Sequence, residues 1–180
     1  MRNADLRWAY LSEVNLHGAD LSGSDLREAW LEKNNLSGIN LSRADLDRAS
    51  MSEVDLSGAN LKNAYLSQAI LSGADLREAH LGYADLSGAD LSSANLTRAY
   101  LSKANFSDAN LNGAILSYAI VRGANFSGAN LNGVDLRHTD LTDVNLTRTD
   151  LSDLELSPDD LSAAILCQTL TRWGEQNSGC

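Results

Sequence analysis

The chain has 180 residues with 24 acidic side chains and 14 Lys or Arg, which gives a formal net charge of −10 at pH 7. It contains no apolar run of the roughly 18 residues that a membrane span needs, and its N-terminus lacks the charged and apolar blocks of a signal peptide. We therefore expect one elongated domain in the cytoplasm, without a membrane partner.

A five-residue period begins at Leu6 and ends at Leu166. Every fifth residue in this stretch is apolar, for thirty-three repeats without an insertion or deletion. An α-helix repeats every 3.6 residues and a β-strand every 2, so neither element keeps these side chains on one face. The backbone must therefore turn once in every repeat.

A second position of the repeat predicts which side chains point inward. Twenty-two of the thirty-three residues that lie two before the large apolar position are Ala, and residues two apart in an extended segment share a face. Each unit then indicates a short strand with one small and one large inward side chain, and stacked coils of such units form a β-solenoid. Six residues represent its expected structural core: Leu6, Leu46, Leu86, Phe106, Phe126 and Leu146.

The remaining positions of the repeat suit a corner. Asp or Asn precedes the large apolar residue in twenty-two of the thirty-three units, and these side chains stabilise turns by accepting hydrogen bonds from nearby amides. Ten of the thirteen glycines lie two residues after the large apolar residue. A Gly relieves backbone strain at such a place.

Several units carry a resemblance to a known family. Residues 74–78, 84–88 and 109–113 have the sequences A-D-L-R-E, A-D-L-S-G and A-N-L-N-G. They resemble the pentapeptide-repeat family, whose consensus is A-(D/N)-L-x-x, and the match covers roughly nine tenths of the chain. The resemblance implies an all-β fold, a right-handed quadrilateral β-helix with four repeats per coil and about eight coils. We expect this β-helix over residues 1–166, followed by a C-terminal tail or cap over 167–180.

Departures from the consensus support four repeats per coil, because like residues recur at twenty-residue steps. Phe106 and Phe126 are the two Phe of the chain. Two further series replace Asp or Asn at the position before the large apolar residue, again at twenty-residue steps. They are Tyr10, Trp30, Ser50 and Ile70, and His80, Tyr100 and Ile120.

Outward aromatic residues define a candidate interaction face. One group lies on the first two coils and comprises Trp8, Tyr10 and Trp30. The other group lies farther along and comprises His80, Tyr83, Tyr100, Tyr118 and Ile120. Aromatic residues are enriched at protein interfaces, although stacked outward rings also stabilise neighbouring coils as cross-strand pairs do. Both interpretations stay open.

Most of the negative charge follows from the repeat itself. Twelve Asp and Glu155 occupy the turn-forming position, which leaves eleven acidic residues against fourteen Lys and Arg elsewhere. The distribution is nevertheless uneven, because the last coils contain few basic residues. We expect an acidic end there, represented by Asp140, Asp143, Asp150 and Asp153.

Catalytic and metal-binding patterns are weak against this background. Ser, Asp and Asn recur in every coil, so the three histidines, His17, His80 and His138, would have such neighbours at random. No two histidines have the spacing of metal ligands, and the glycines do not form a phosphate-binding loop. We expect no catalytic, metal or cofactor site, and therefore no enzyme.

Both ends of the repeat are unusual. Only Met1, Arg2 and Asn3 precede the first unit, so an uncapped coil end predicts possible self-association or a piece of a longer chain. At the other end, residues 158–172 fit either a capping helix that starts after Ser157 or a continued coil, which the similarity to endings of cyanobacterial members favours. Cys167 and Cys180 are too few for a disulfide scaffold, so free thiols are favoured over a disulfide that pins the tail.

The resemblance implies a non-enzymatic scaffold that presents a rigid face to an unidentified protein partner. An alternative is suggested by the mycobacterial and quinolone-resistance members of the family, in which an acidic rod mimics DNA on gyrase, a type II topoisomerase. A third is an accessory module of a larger protein. None of these functions involves direct binding of nucleic acid.

Overall fold

The computed structural model of the chain describes residues 1–12 and 14–180. Parallel β-bridges join residues that are twenty apart, from Asp5 with Asp25 to Asp150 with Leu170. One coil of this β-helix therefore takes twenty residues, which is four of the five-residue repeats. Except for Leu170, each bridged residue lies immediately before a large apolar position, where the chain is extended between two turns.

The bridges form four columns around the coils, and each column is named here by one of its first residues. The Asp5 side contains Asp5, Asp25, Asp45, Tyr65, Asp85, Asn105, Asn125, Asn145 and Ile165; the Tyr10 side contains Tyr10, Trp30, Ser50, Ile70, Asp90, Asn110 and Asn130; the Asn35 side contains Asn35, Asp55, Asp75, Asn95, Ile115 and Asp135; the Asp20 side contains Asp20, Asn40, Asn60, His80, Tyr100 and Ile120. Along the chain these sides follow one another in the order Asp5, Tyr10, Asn35 and Asp20. The Tyr10 and Asp20 sides are therefore opposite faces of the rod.

The large and small inward side chains form one continuous core. Five of the six residues expected to represent it are at most 2% exposed, namely Leu46, Leu86, Phe106, Phe126 and Leu146. Leu6 is only partly buried, because its coil is covered on one side alone. Leu6 nevertheless packs against this core.

A single hydrogen-bonding pattern makes the corners, and residues 55–59 illustrate it. The Ala59 amide donates to the carbonyl oxygen of Leu56 at 3.0 Å, and the Ser57 amide donates to Oδ1 of Asp55 at 2.9 Å. Gly58 has a φ of 62°, the left-handed conformation that the third residue of such a turn needs. The ten glycines at this position all have positive φ.

Many residues other than Gly adopt the same conformation. Twenty non-glycine residues of the described chain have positive φ, including Trp8, Tyr83 and Tyr118. Left-handed backbone is unfavourable for side chains with a Cβ. The hydrogen bonds of the coil therefore impose this corner even where the sequence does not favour it.

The C-terminal end continues the coil and then closes with a hairpin. Strand β1 spans Thr169–Thr171 and strand β2 spans Gly174–Gln176, and the two pair antiparallel. Residues 158–163 form turns, and Ile165 resumes the bridge to Asn145. A capping helix over 158–172 is thus not formed, although Ser157 and Asp160 cap these turns through reciprocal hydrogen bonds to each other's amides.

The two cysteines form a disulfide, Cys167–Cys180. The expectation of free thiols was therefore wrong. The tail returns to the last coil, where the Gly179 amide donates to the carbonyl oxygen of Leu166 at 2.6 Å and the Gln168 amide donates to Oδ1 of Asn177 at 2.8 Å. These contacts bring the last residue beside Cys167, a return that the number and spacing of cysteines do not predict.

The stacking is interrupted before this end. Among the described residues at this end of the rod, the bridges expected from the twenty-residue step are absent between Ile120 and Asp140, Asn130 and Asp150, Asp135 and Glu155, and Asp140 and Asp160. The bridge between Asn125 and Asn145 is kept. The coils therefore separate on three sides and remain joined on the Asp5 side.

Across the two described segments, no helix has the length and apolar character needed to cross a bilayer.

Candidate interaction surfaces

The Asp20 side changes its surface chemistry halfway along the rod. Its first rungs are a polar ladder, in which Nδ2 of Asn40 donates to Oδ1 of Asp20 and Nδ2 of Asn60 donates to Oδ1 of Asn40, each at 3.2 Å. The next rungs are His80 and Tyr100, whose rings stack with centroids 4.5 Å apart and 7° between their planes. The column thus passes from amide hydrogen bonds to exposed ring faces.

Two corners extend this stacked pair sideways. On one corner, Nζ of Lys103 lies 5.4 Å from the ring centroid of Tyr83. On the other, the rings of Tyr118 and His138 stack at 4.5 Å, and the guanidinium carbon of Arg98 lies 6.0 Å from the Tyr118 centroid. Each edge of the Asp20 side therefore carries one cation–π contact.

We call this surface the aromatic patch and define it by eight residues: His80, Tyr83, Arg98, Tyr100, Lys103, Tyr118, Ile120 and His138. Five of them belong to the expected interaction face. Sequence reasoning missed Arg98, Lys103 and His138, although Lys103 and His138 lie twenty residues after Tyr83 and Tyr118. Arg98 lies twenty residues before Tyr118, so the same twenty-residue step that indicated the coil would have found all three.

The other three residues of the expected face lie elsewhere. Tyr10 and Trp30 stack at 4.6 Å on the Tyr10 side, and Trp8 lies on the corner before it, where its Nε1 donates to Glu28 Oε2 at 3.2 Å. Because the Tyr10 and Asp20 sides are opposite, the expected residues make two separate surfaces. One partner surface of ordinary size would contact only one of them.

The expected acidic end is also divided. Asp140 and Asp150 continue the register of the Asp20 and Tyr10 sides, so they are on opposite faces, whereas Asp143 and Asp153 lie at corners. Asp143 pairs with Arg122 at 3.4 Å, and Asp153 accepts a hydrogen bond from the Gly133 amide at 2.8 Å. Asp143 and Asp153 are therefore each engaged by a residue of the neighbouring coil.

Hydrogen bonds explain the electrostatics of the turn carboxylates. The Thr142 hydroxyl and amide lower the pKa of Asp140, and the Ser152 hydroxyl and amide lower the pKa of Asp150. The Arg7 side chain lowers the pKa of Asp5 to about 2. Accepting these hydrogen bonds stabilises the charged form of each carboxylate. The same hydrogen bonds hold the turns at the corners of the coil. Among the residues described, no three His, Cys, Asp or Glu side chains are grouped as a metal site.

Several solved structures are similar to this chain. HetL, a pentapeptide repeat protein involved in heterocyst differentiation regulation in the cyanobacterium Nostoc sp. strain PCC 7120, is 32% identical over 97% of this chain and 92% of its own, with a TM-score of 0.43. Rfr23 from the cyanobacterium Cyanothece 51142 is 31% identical over 69% of this chain and 89% of its own, with a TM-score of 0.34. Full-length QnrB1, a plasmid-mediated fluoroquinolone resistance protein, is 18% identical over 99% and 89% of the two chains, with a TM-score of 0.51. At that identity QnrB1 supports the fold alone.

No curated protein matches the chain. The family described as pentapeptide repeats matches it in eight copies, over residues 1–38, 24–63, 59–98, 89–128 and 119–157. These segments cover most of the sequence. The chain therefore belongs to the pentapeptide-repeat family.

Proposed function

We propose that this chain is a non-enzymatic scaffold, a right-handed quadrilateral β-helix of about eight coils that binds a protein partner through the aromatic patch. The observation that carries the proposal is the exposed stack of His80 on Tyr100, continued by Ile120 and bordered by cation–ring pairs. Tyr and Arg are enriched at the centres of protein interfaces. Rings that are already held in place by stacking lose little conformational entropy on binding.

The composition of the patch indicates the chemistry of the partner. Tyr83, Tyr100 and Tyr118 are each about half exposed, at 55%, 44% and 53%, and Ile120 adds an aliphatic centre. Arg98 and Lys103 lie on opposite edges of the patch. A complementary partner surface has an apolar centre and carboxylates on its rim. The patch is locally basic even though the chain as a whole carries a charge of −10.

The competing interpretation is that the stacked rings only stabilise the coils. It is tested by replacing both His80 and Tyr100 with Asn, the residue that occupies the same column at Asn60. This double variant removes the rings and restores the consensus of the turn position. Tyr65→Asn is the matched control, because Tyr65 is 58% exposed in the same type of position on the Asp5 side.

The experiment compares proteins captured from the source cell by the parent chain and by the two variants, each checked for folding by circular dichroism. We expect one partner to be retained by the parent and by Tyr65→Asn and lost by the double variant, since truncating a central interface residue costs about 2 kcal/mol or more. Equal retention by all three proteins would remove the patch as the binding surface. A double variant that loses the partner only because it unfolds would favour the purely structural interpretation.

The alternative function, mimicry of DNA on gyrase, needs a continuous acidic surface. The carboxylates of the acidic end are distributed over opposite sides and engaged in turns, so we favour the scaffold. A gyrase supercoiling assay with excess protein tests this choice directly. Inhibition or protection of the enzyme would replace our proposal with the alternative.

A further inference from the structure

We propose that the cleft opened by the separated coils binds an extended peptide with basic side chains. The cleft has a volume of about 780 Å³ and lies between residues 133–139 of one coil and 153–160 of the next. Its size is within the range of about 300–1,000 Å³ that is usual for ligand sites. It is a second site, separate from the patch apart from His138, which lines the cleft and also stacks on Tyr118.

The opening coincides with a change of residue type at the small inward position. That position is Ala in every repeat from Ala59 to Ala129. The next six units replace Ala with larger or charged residues, which are Val134, Thr139, Val144, Thr149, Leu154 and Asp159. Larger side chains overfill a position that Ala fits. Replacements at Ile39 and Val54 keep their bridges, whereas bridges are lost where these six replacements follow one another.

The separation leaves backbone groups open on both lips of the cleft. In the preceding coil, the Leu116 amide donates to the carbonyl oxygen of Asp135 at 2.8 Å, and the Tyr118 amide donates to Arg137 at 3.1 Å. One coil later, the equivalent donors are the amides of Leu136 and His138. Within residues 14–180, neither of these two amides has a backbone acceptor.

The opposite lip carries the matching acceptors. The carbonyl oxygens of Glu155 and Ser157 lie at the register positions that would receive the Leu136 and His138 amides, and among the described residues no backbone amide donates to either. Stacking resumes beyond the cleft, between Asn145 and Ile165. An interrupted ladder with donors on one lip and acceptors on the other is a template for an added strand.

The negative charge of the residues that line the cleft favours a basic peptide. Four carboxylates line the cleft, those of Asp135, Asp153, Glu155 and Asp160, against the single guanidinium of Arg137. Arg137 already pairs with Asp135 at 2.9 Å. Asp153 and Asp160 accept hydrogen bonds from the Gly133 amide and from Ser157, but these donors are neutral and leave the negative charges uncompensated. Leu136, Leu154 and Leu156 add apolar surface. An extended segment in which Lys or Arg alternates with an apolar residue can make all three kinds of contact. It pairs with the open backbone groups, its cations face the carboxylates, and its apolar side chains pack on the Leu residues.

The test uses a fluorescein-labelled Lys-Val-Lys-Val-Lys peptide and the intact chain, with fluorescence anisotropy as the measurement of binding. Two further probes have Glu in place of Lys, or Pro in place of Val, which removes backbone donors. We expect the basic peptide to bind about tenfold or more tightly than either, because charge and strand pairing both contribute. Hydrogen exchange of the Leu136 and His138 amides should slow when the basic peptide is bound.

Variants separate the cleft from the general negative charge of the rod. Glu155→Lys should weaken binding of the basic peptide about tenfold, whereas Glu32→Lys, the same change in net charge far from the cleft, should weaken it less than about twofold. Equal losses in the two variants, equal binding of the Pro peptide, or unchanged exchange at Leu136 and His138 would overturn the proposal. So would the absence of binding by any of the three peptides.

Discussion

The Phe106 ring lies parallel to the Phe126 ring inside the β-helix, with 4.8 Å between centroids and 2° between planes. That distance is the spacing of neighbouring strands. Each ring therefore occupies the layer of its own coil, and the two replace a pair of Leu residues that elsewhere stack in the same column. The size of one ring is accommodated because the layer next to it holds the other.

This pairing predicts non-additive effects of substitution. Phe106→Leu alone should lower the free energy of unfolding by about 1–2 kcal/mol, because it leaves space beside Phe126 and removes the ring contact. Adding Phe126→Leu should cost less than the first change did, since the double variant restores two stacked Leu. Urea unfolding of the two single variants and the double variant measures the coupling. Strictly additive losses would contradict a paired packing unit.

The corner glycines predict a cost that comes from the backbone alone. Gly58 has positive φ, and no atom outside its chain neighbours lies within 4 Å of the place where a Cβ would be added. Gly58→Ala should therefore lower the free energy of unfolding by about 1 kcal/mol through left-handed strain, without a steric clash. Ser57→Ala, one residue earlier in the same turn, is the control and should change stability less. Thermal unfolding of both variants provides the comparison.

The five-residue period predicted the coil, the inward residues and the corners, because each repeat contains its own packing and turn signals. The register also determines that Tyr10 and Tyr100 are on opposite sides, so the division of the aromatic residues followed from the step of twenty. The cleft was missed because the large apolar position continues without change through Leu136 and Leu156. The change that accompanies the cleft is the run of consecutive replacements at the small position from Val134 onward. The disulfide was missed because it depends on a hairpin that returns the tail, and cysteine spacing carries no information about that turn.

Reduction should loosen the tail without unfolding the rod. The Cys167–Cys180 bond closes a short loop, and a crosslink of this length contributes up to about 3 kcal/mol in the chain-entropy description. Because coils contact only their neighbours, the effect should remain at the C-terminal end. Trypsin should therefore cleave after Arg172 faster in dithiothreitol, while the main unfolding transition changes little.

The control for this prediction is a variant with Ser in place of both Cys167 and Cys180. It should be cleaved as fast as the reduced parent, and dithiothreitol should not change it. Equal cleavage of oxidised and reduced parent would mean that the hydrogen bonds of Gln168 and Gly179 hold the tail unaided. The predicted cytoplasmic location matters here, because a reducing cytosol opens such bonds.

The turn carboxylates predict loss of stability in acid. The folded-state pKa is lowered to about 2 for Asp5 by Arg7 and to about 2 for Asp20 by Ser22 and Arg2, and it is also lowered for Asp140 by the Thr142 hydroxyl. A group whose pKa is depressed on folding stabilises the fold above its unfolded pKa of about 4, and this contribution is lost as pH falls through the folded pKa. The melting temperature should therefore change little from pH 7 to 5 and fall between about pH 4 and 2.

Two reciprocal substitutions isolate this effect, because Asn95 and Asp140 make the same turn. Oδ1 of Asn95 accepts from the Thr97 amide at 3.0 Å and its hydroxyl at 2.6 Å, and Oδ1 of Asp140 accepts from Thr142 at the same two distances. Asp140→Asn keeps the acceptor and removes the titrating group, so the fall in melting temperature below pH 4 should become shallower. Asn95→Asp adds such a group and should make the fall steeper. If both variants follow the parent curve, the acid sensitivity arises from carboxylates outside the corners.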